Sequence, residues 1–217
     1  MTSKAEGSRR GVPVYIAGAI IAVAMLVLVS AMALQVRSLE MSESIAIPMG
    51  SGMEAVDLKV DASLGEVEVS FADLRDEAVV VTTRLSGSAS VLGDEAPLSL
   101  NVTHENDVEA GVINVTAVMD VYAPWPYPSL DEVRCEVVID RRLTADIDIR
   151  VTTGGATVRT AEGTNITGIN IDTTSLGSVI ELNNGTVLSG DVRMRTATGG
   201  GTLYWHNGTV DGDRTLS

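Results

Sequence analysis

Five asparagines stand in the pattern Asn-x-Ser/Thr, at Asn101, Asn114, Asn165, Asn184 and Asn207, in a chain with eight asparagines altogether. Its Ser and Thr content predicts roughly one or two such triplets by chance. The chemistry they offer is N-glycosylation, in a host with the machinery for it, as archaea and eukaryotes usually have. Asn184 and Asn207 share the triplet Asn-Gly-Thr, which also reads as one turn used twice. That accounts for two of the five without any modification.

The other reactive side chains do not gather. His104 and His206 are the only histidines, and neither lies near a second His or Cys, so no zinc pattern is present. Cys135 is the single cysteine, which excludes an intrachain disulfide. The alternation around it, Val133 to Ile139, predicts a buried, inert thiol. Asp211-Gly212-Asp213 is one short acidic turn, read as solvent-facing rather than as a calcium loop. Gly154-Gly155 and Gly199-Gly200-Gly201 are followed by neither Gly-Lys-Ser/Thr nor a helix, so they are not phosphate loops. No nucleophile elbow occurs, and the carboxylates are spread without a convergent pair for sugar cleavage. The expectation is a noncatalytic protein with no catalytic residues, no metal and no cofactor. A carbohydrate-active enzyme is the enzymatic alternative. Trp125 and Tyr127, within Ala123-Pro124-Trp125-Pro126-Tyr127-Pro128, are candidates for a partner-binding tip. The competing reading is a rigid crossover whose aromatics cap the core, since three prolines cannot sit in a central strand.

Charge narrows the partners. Of the 217 residues, 29 are acidic and 15 basic; 28 of the acidic ones and 12 of the basic ones follow Val36, giving that part a net charge of −16. Phosphates would be repelled, so nucleic acid is excluded as a partner.

Before that acidic part, no charge occurs from Gly11 to Val36. As a helix, Val12–Val36 would be about 37 Å long, against a hydrocarbon core of roughly 30 Å. Lys4, Arg9 and Arg10 precede it, and Arg37, Glu40 and Glu43 follow. The basic flank predicts a cytoplasmic N-terminus and an extracellular C-terminal domain. The expectation is therefore a single-pass protein of the cell membrane with the lipid bilayer as a partner. Its parts would be a basic tail (1–11), a membrane helix (12–36), a stalk (37–53) carrying Pro48, Gly50 and Gly52, an N-terminal β region (54–145) and a repeat region (146–217). Ala31-Met32-Ala33 has the form of a signal-peptidase site that would instead release the domain. Arg9-Arg10-Gly11 before an apolar run resembles the class III signal of archaeal type IV pilins, although the acidic residue often found near the start of the mature pilin helix is missing. That resemblance covers about 25 residues and implies a filament subunit that self-associates through the helix.

From Glu54 onward apolar and polar residues alternate. Val56, Leu58 and Val60 alternate, as do Val67, Val69 and Phe71 after an expected turn at Leu64-Gly65. Val79 and Val81, then Leu98, Leu100 and Val102, then Val112 to Tyr122 continue the pattern. These are strands, and no helical period appears outside the N-terminal segment. The last third repeats. Gly155, Gly177 and Gly200 are 22 and 23 residues apart, and Gly163-Thr164, Gly185-Thr186 and Gly208-Thr209 keep step. So do Ile147 and Ile149, Ile169 and Ile171, and Val192 and Met194. Two strands per period predict stacked coils, about 4.8 Å apart. Ile149, Ile171 and Met194 would then point inward opposite Val158, Ile180 and Leu203. Arg150, Asp172 and Arg195 would form one outward column and Arg159 and Glu181 another. Alternating signs suit such stacking. The expected fold class is all-β: a β-solenoid-like stack of about three coils with period 22–23, after an irregular β region and one N-terminal transmembrane helix.

This repeat, with Glu136-Val137-Val138-Ile139-Asp140 and Leu143-Thr144-Ala145-Asp146-Ile147 before it, resembles the "putative adhesin" domain family of unknown function, related to the auto-transporter adhesin head group. The resemblance covers roughly Glu54 to Asp213. It implies a surface-exposed β-solenoid, often behind a membrane anchor, with no established catalytic residues. A glycan or a surface protein is the partner expected of such a surface module.

Overall fold

The computed structural model describes residues 21–26, 36–90, 98–122 and 129–211. Among these, thirteen strands form: β1 (Val36–Pro48), β2 (Ala55–Ala72), β3 (Glu77–Ser90), β4 (Leu98–Asp107), β5 (Val112–Val121), β6 (Ser129–Asp140), β7 (Thr144–Arg159), β8 (Asn165–Thr173), β9 (Ser178–Leu182), β10 (Val187–Leu188), β11 (Val192–Thr196), β12 (Gly201–Trp205) and β13 (Thr209–Val210). Their cause is the alternation, which leaves one face of each strand apolar. In β5 every second residue from Ile113 to Met119 is buried.

All thirteen join one sheet, and its spine is the parallel pair β2 and β7. The first half of β2, residues 55–62, has β5 on its other side, and the second half, residues 66–72, has β6. Beyond β7 the sheet divides in the same way: β8 and then β11 continue beside the first half, β9 and then β12 beside the second. Antiparallel strands close the far flank, β4 on β5, β3 on β6 and β1 on β3. The short strands β10 and β13 pair in parallel beside Asn165–Ile166. The sheet thus has two wings that share β2 and β7.

The division falls at glycines. Gly65 and Gly154 lie side by side in the register, with φ of 113° and 144°. Only glycine adopts such values cheaply. A Cβ on Gly154 would also collide with the carbonyl oxygen of Gly65. The expected turn at Leu64-Gly65 is therefore a bend within one continuous strand.

Both wings direct their apolar faces into one core. Leu58, Val60, Ile113, Ile147, Ile149, Ile169 and Ile171 come from the first wing, and Val69, Val81, Val137, Ile139, Val158 and Ile180 from the second. Each such aliphatic side chain contributes about 1.5–3 kcal/mol on burial. Phe71 is the chain's single phenylalanine, so this is a core of branched aliphatics. Met194 and Leu203 pack against it only half-buried, at the sheet's last strands.

Three expectations are corrected. First, the expected membrane helix is not found: among the described residues no helix is long and apolar enough to span a bilayer. Residues 21–26 are helical. Val36, the expected end of the span, begins a strand instead, and the remainder of 12–36 lies outside the described residues. The single-pass membrane localisation is overturned by the same finding. Second, the segment expected as a stalk (37–53) opens in strand β1, which pairs antiparallel with β3 from Val36↔Ser90 onward. Third, the fold is not a β-solenoid. A solenoid lays every strand parallel on its predecessor, whereas β1, β3 and β4 run antiparallel in one open sheet. Within that sheet the expected columns do form: Arg150, Asp172 and Arg195 are neighbours in register, as are Arg159 and Glu181. The tail, residues 1–11, and its pilin-like signal lie outside the described residues, as does the Ala31-Met32-Ala33 site.

Candidate functional site

The outer face of the second wing carries a ribbon of charge that crosses its strands diagonally. Alternation places Arg84, Arg134, Glu136, Glu68, Arg159 and Glu181 on that face, and the register puts β3, β6, β2, β7 and β9 side by side. Arg84 reaches Glu136 at 3.9 Å, and Glu136 meets Arg134 at 3.3 Å. Arg134 and Arg159 both donate to the carboxylate of Glu68. Arg159 continues to Glu181 at 3.4 Å, and Glu181 lies 3.9 Å from His206. The hydrogen bond to Glu68 raises the Arg134 pKa above its ordinary value, outweighing burial; Glu68, Glu136 and Glu66 add attraction through space. Half-exposed pairs such as these contribute at most about 1 kcal/mol each to stability. Their larger effect is geometric, because each side chain between Arg84 and His206 is held by two neighbours.

Beside the ribbon lies a trough of about 430 Å³. Its floor is the glycine column Gly155, Gly177 and Gly200. A Cβ on Gly155 would stand 2.9 Å from the Gly177 oxygen, and one on Gly177 would stand 2.7 Å from the Gly200 oxygen. Neighbouring backbones approach too closely for side chains there, and the surface is left concave. Glu66, Glu68, Arg134, Arg159, Thr157 and Val179 line the walls. A second trough of about 340 Å³ follows the bend between the wings, bordered by Leu64, Leu130, Val133 and Leu176. Glu66 and Leu176 border both.

The sequon asparagines, the histidines and the cysteine do not line these troughs. All five sequon asparagines are exposed, with Asn101, Asn114 and Asn165 on β4, β5 and β8. Asn184 and Asn207 sit in stacked turns, where the Gly185 N–H donates to the Asn207 carbonyl at 3.3 Å. In the first of those turns Thr186 is buried, its hydroxyl 2.8 Å from that of Thr160. Trp125 and Tyr127 lie outside the described residues. Cys135 is buried in β6, and burial pushes its thiol up to about 12, with a smaller contribution from Glu136. His104 is exposed on β4. Among the described residues no cluster of His, Cys, Asp or Glu could hold a metal ion. Asp211 is described; Gly212 and Asp213 lie outside.

The column of Arg159 and Glu181 was visible in the sequence, but the central clamp of Glu68 between Arg134 and Arg159 was not. Its members are 66 and 91 residues apart, and no local pattern links them.

Comparisons complete the description. No protein-family model matches the chain, and no curated protein matches it. Among solved structures, a "putative cell adhesion protein" from Clostridium sporogenes is similar at 9% identity and a TM-score of 0.48, covering 76% of this chain and 99% of that one. A "putative adhesin" from Parabacteroides distasonis is similar at 11% identity and 0.37, covering 82% and 70%. A "putative adhesin" from Bacteroides fragilis is similar at 9% identity and 0.30, covering 79% and 96%. Scores at this level do not place the chain in their fold.

Proposed function

We propose that this chain is an adhesin-like, noncatalytic binding module whose ligand lies in the glycine-floored trough of the second wing. One observation carries the reading: the trough is walled by charged side chains paired with their neighbours, on adjacent strands of the sheet. A site ordered before binding loses little side-chain freedom when the ligand arrives, and strands hold such a site more rigidly than loops do. Guanidinium groups donate hydrogen bonds and carboxylates accept them. The walls therefore suit a polar, hydroxyl-rich ligand such as a surface glycan, or a polar loop of a surface protein. Catalysis fits less well. General acid–base work needs a carboxyl free to exchange a proton with the ligand, whereas the Glu68 carboxylate is occupied by two guanidinium groups.

Binding of the full chain to an immobilised panel of cell-surface glycans tests the reading. Val179→Arg and Thr157→Trp fill the trough from outward-facing positions without entering the core. Each should weaken the strongest interaction by about tenfold or more. If both variants bind as the natural chain does, the trough is not the site.

The exposed sequon asparagines are proposed as glycan acceptors, with Asn101, Asn114 and Asn165 preferred because the stacked turns already account for the other two. Intact-mass spectrometry of natively produced protein, before and after removal of N-glycans, decides this. An unchanged mass sinks it.

A further inference from the structure

The trough along the bend has a chemistry of its own. Leu64, Leu130, Val133 and Leu176 give it an apolar bed, and Leu176, in the bend between β8 and β9, is 53% exposed. Every charged residue that borders it is acidic: Glu66, Asp131 and Glu132. Asp131 and Glu132 are exposed and make no ion pair among the described residues. The ribbon on the second wing differs, since its arginines and carboxylates satisfy one another. An apolar bed beside two unpaired carboxylates, Asp131 and Glu132, is complementary to a ligand that carries an aliphatic group beside a positive charge. Gly65, Gly154, Thr153 and Ser175 supply the remaining border; their small side chains let another backbone come close.

We propose that this bend trough docks a short cationic segment of a partner protein, placing a leucine-like side chain on Leu64, Leu130, Val133 and Leu176 and a lysine or arginine against Asp131 and Glu132. Anionic ligands are disfavoured by the rim and by the chain's net charge of −14, and the same negative field attracts a basic segment from a distance. The volume of about 340 Å³ lies near the lower end of the roughly 300–1,000 Å³ of ligand pockets. It fits a few side chains rather than a folded surface. The two troughs share Glu66 and Leu176 at their common border, and docking here does not require the glycan reading.

The test uses the full chain and a fluorescein-labelled hexapeptide of alternating lysine and leucine, read by fluorescence anisotropy. Expected is saturable binding that weakens as salt is raised. Asp131→Lys combined with Glu132→Lys should lower the affinity by about tenfold or more, because attraction at two exposed sites becomes repulsion. Leu176→Ser should lower it by about fivefold through lost apolar contact. A lysine–serine hexapeptide of the same charge should bind at least about fivefold more weakly. All three changed positions are exposed, so these variants keep the fold. Val179→Arg, which blocks the other trough, should leave hexapeptide affinity unchanged. Equal binding of the lysine–leucine and lysine–serine peptides would overturn the proposal, as would wild-type affinity in the charge-reversed double variant or loss of hexapeptide binding in Val179→Arg. Failure of glycan binding alone would sink the previous reading and leave this one standing.

Discussion

Strands β7 to β12 and the flank of β1, β3 and β6 fill the same core by different means. In the parallel half, a residue's neighbour across the sheet lies 22 or 23 residues along the chain: Ile149 beside Ile171, Val158 beside Ile180, Ile180 beside Leu203. One environment is presented several times, and similar residues meet it each time. On the flank the neighbours run antiparallel and come from distant stretches, as Val81 beside Val137 does. There a single device does what the parallel half spreads over many contacts. The side chain of Asp140, inaccessible to solvent at the end of β6, accepts the Leu74 N–H at 3.0 Å and the Arg142 N–H at 2.9 Å, and its own oxygens meet the Arg142 guanidinium. It ties the turn after β2 to the turn after β6. The parallel half should therefore lose stability in small portions and the flank in one large one.

The sharpest way to break that contrast is at the joint shared by both. Gly154→Val places a branched side chain at positive φ against the Gly65 carbonyl. A loss of about 4 kcal/mol or more is expected, in the exceptional range for one substitution, read as a collapse of the urea midpoint. A loss below about 1 kcal/mol would show that the two spine strands do not need the close approach.

Next in size is Asp140→Ala. It strands two backbone N–H groups, each costing about 1–3 kcal/mol when buried and unpaired; about 3 kcal/mol in total is expected from chemical denaturation. Burial alone would raise the Asp140 pKa, but hydrogen bonds from the Arg142 side chain and from the Arg142 and Leu74 N–H groups hold it below the ordinary carboxylate value. A depressed pKa means stability that is present above the unfolded value, about 3.9, and lost as pH falls through the native one. Urea midpoints measured downward from neutral pH should fall in that window for the natural chain, and by less for Asp140→Asn.

Ile180→Val tests the other side of the comparison. One methylene is removed where several equivalent contacts surround it, and about 1 kcal/mol is expected. If it costs as much as Asp140→Ala, the distributed picture of the parallel half is wrong. Smallest is Asp146→Asn on β7. Partial burial, the neighbouring Asp57 and, more weakly, Asp148 raise the Asp146 pKa. Its ionised form is therefore disfavoured in the folded state, the opposite sign to Asp140. The amide should raise the melting temperature slightly at neutral pH, with the gain disappearing below the ordinary carboxylate range.

The functional surface was legible only in part. Alternation in the sequence marks Arg159 and Glu181 as outward and paired, and the recurrence of Gly155, Gly177 and Gly200 marks close approach. The concave floor follows from those glycines once the strands are known to be parallel. Glu68 and Arg134 carry no such signal, because an isolated charge in an alternating strand looks the same whether it faces bulk water or an arginine from a distant strand. The bend trough was invisible for a similar reason. Leu64, Leu130 and Leu176 belong to three segments that the register alone brings to one corner.

By itself the sequence determined that the chain from Glu54 onward is built of strands, which side of most of those strands faces the core, and that segments 22 or 23 residues apart stack in parallel with Arg150 beside Asp172. Those are consequences of period-two alternation and of a spacing that recurs, both written locally. Only the tertiary structure decided that Val36–Pro48 is a strand and not a stalk, that antiparallel strands finish one side of the sheet, and that β2 lies against β7. The partners in those pairings are set by which distant edges best satisfy one another's backbone hydrogen bonds and apolar faces. Such long-range competition leaves no period along the chain to read.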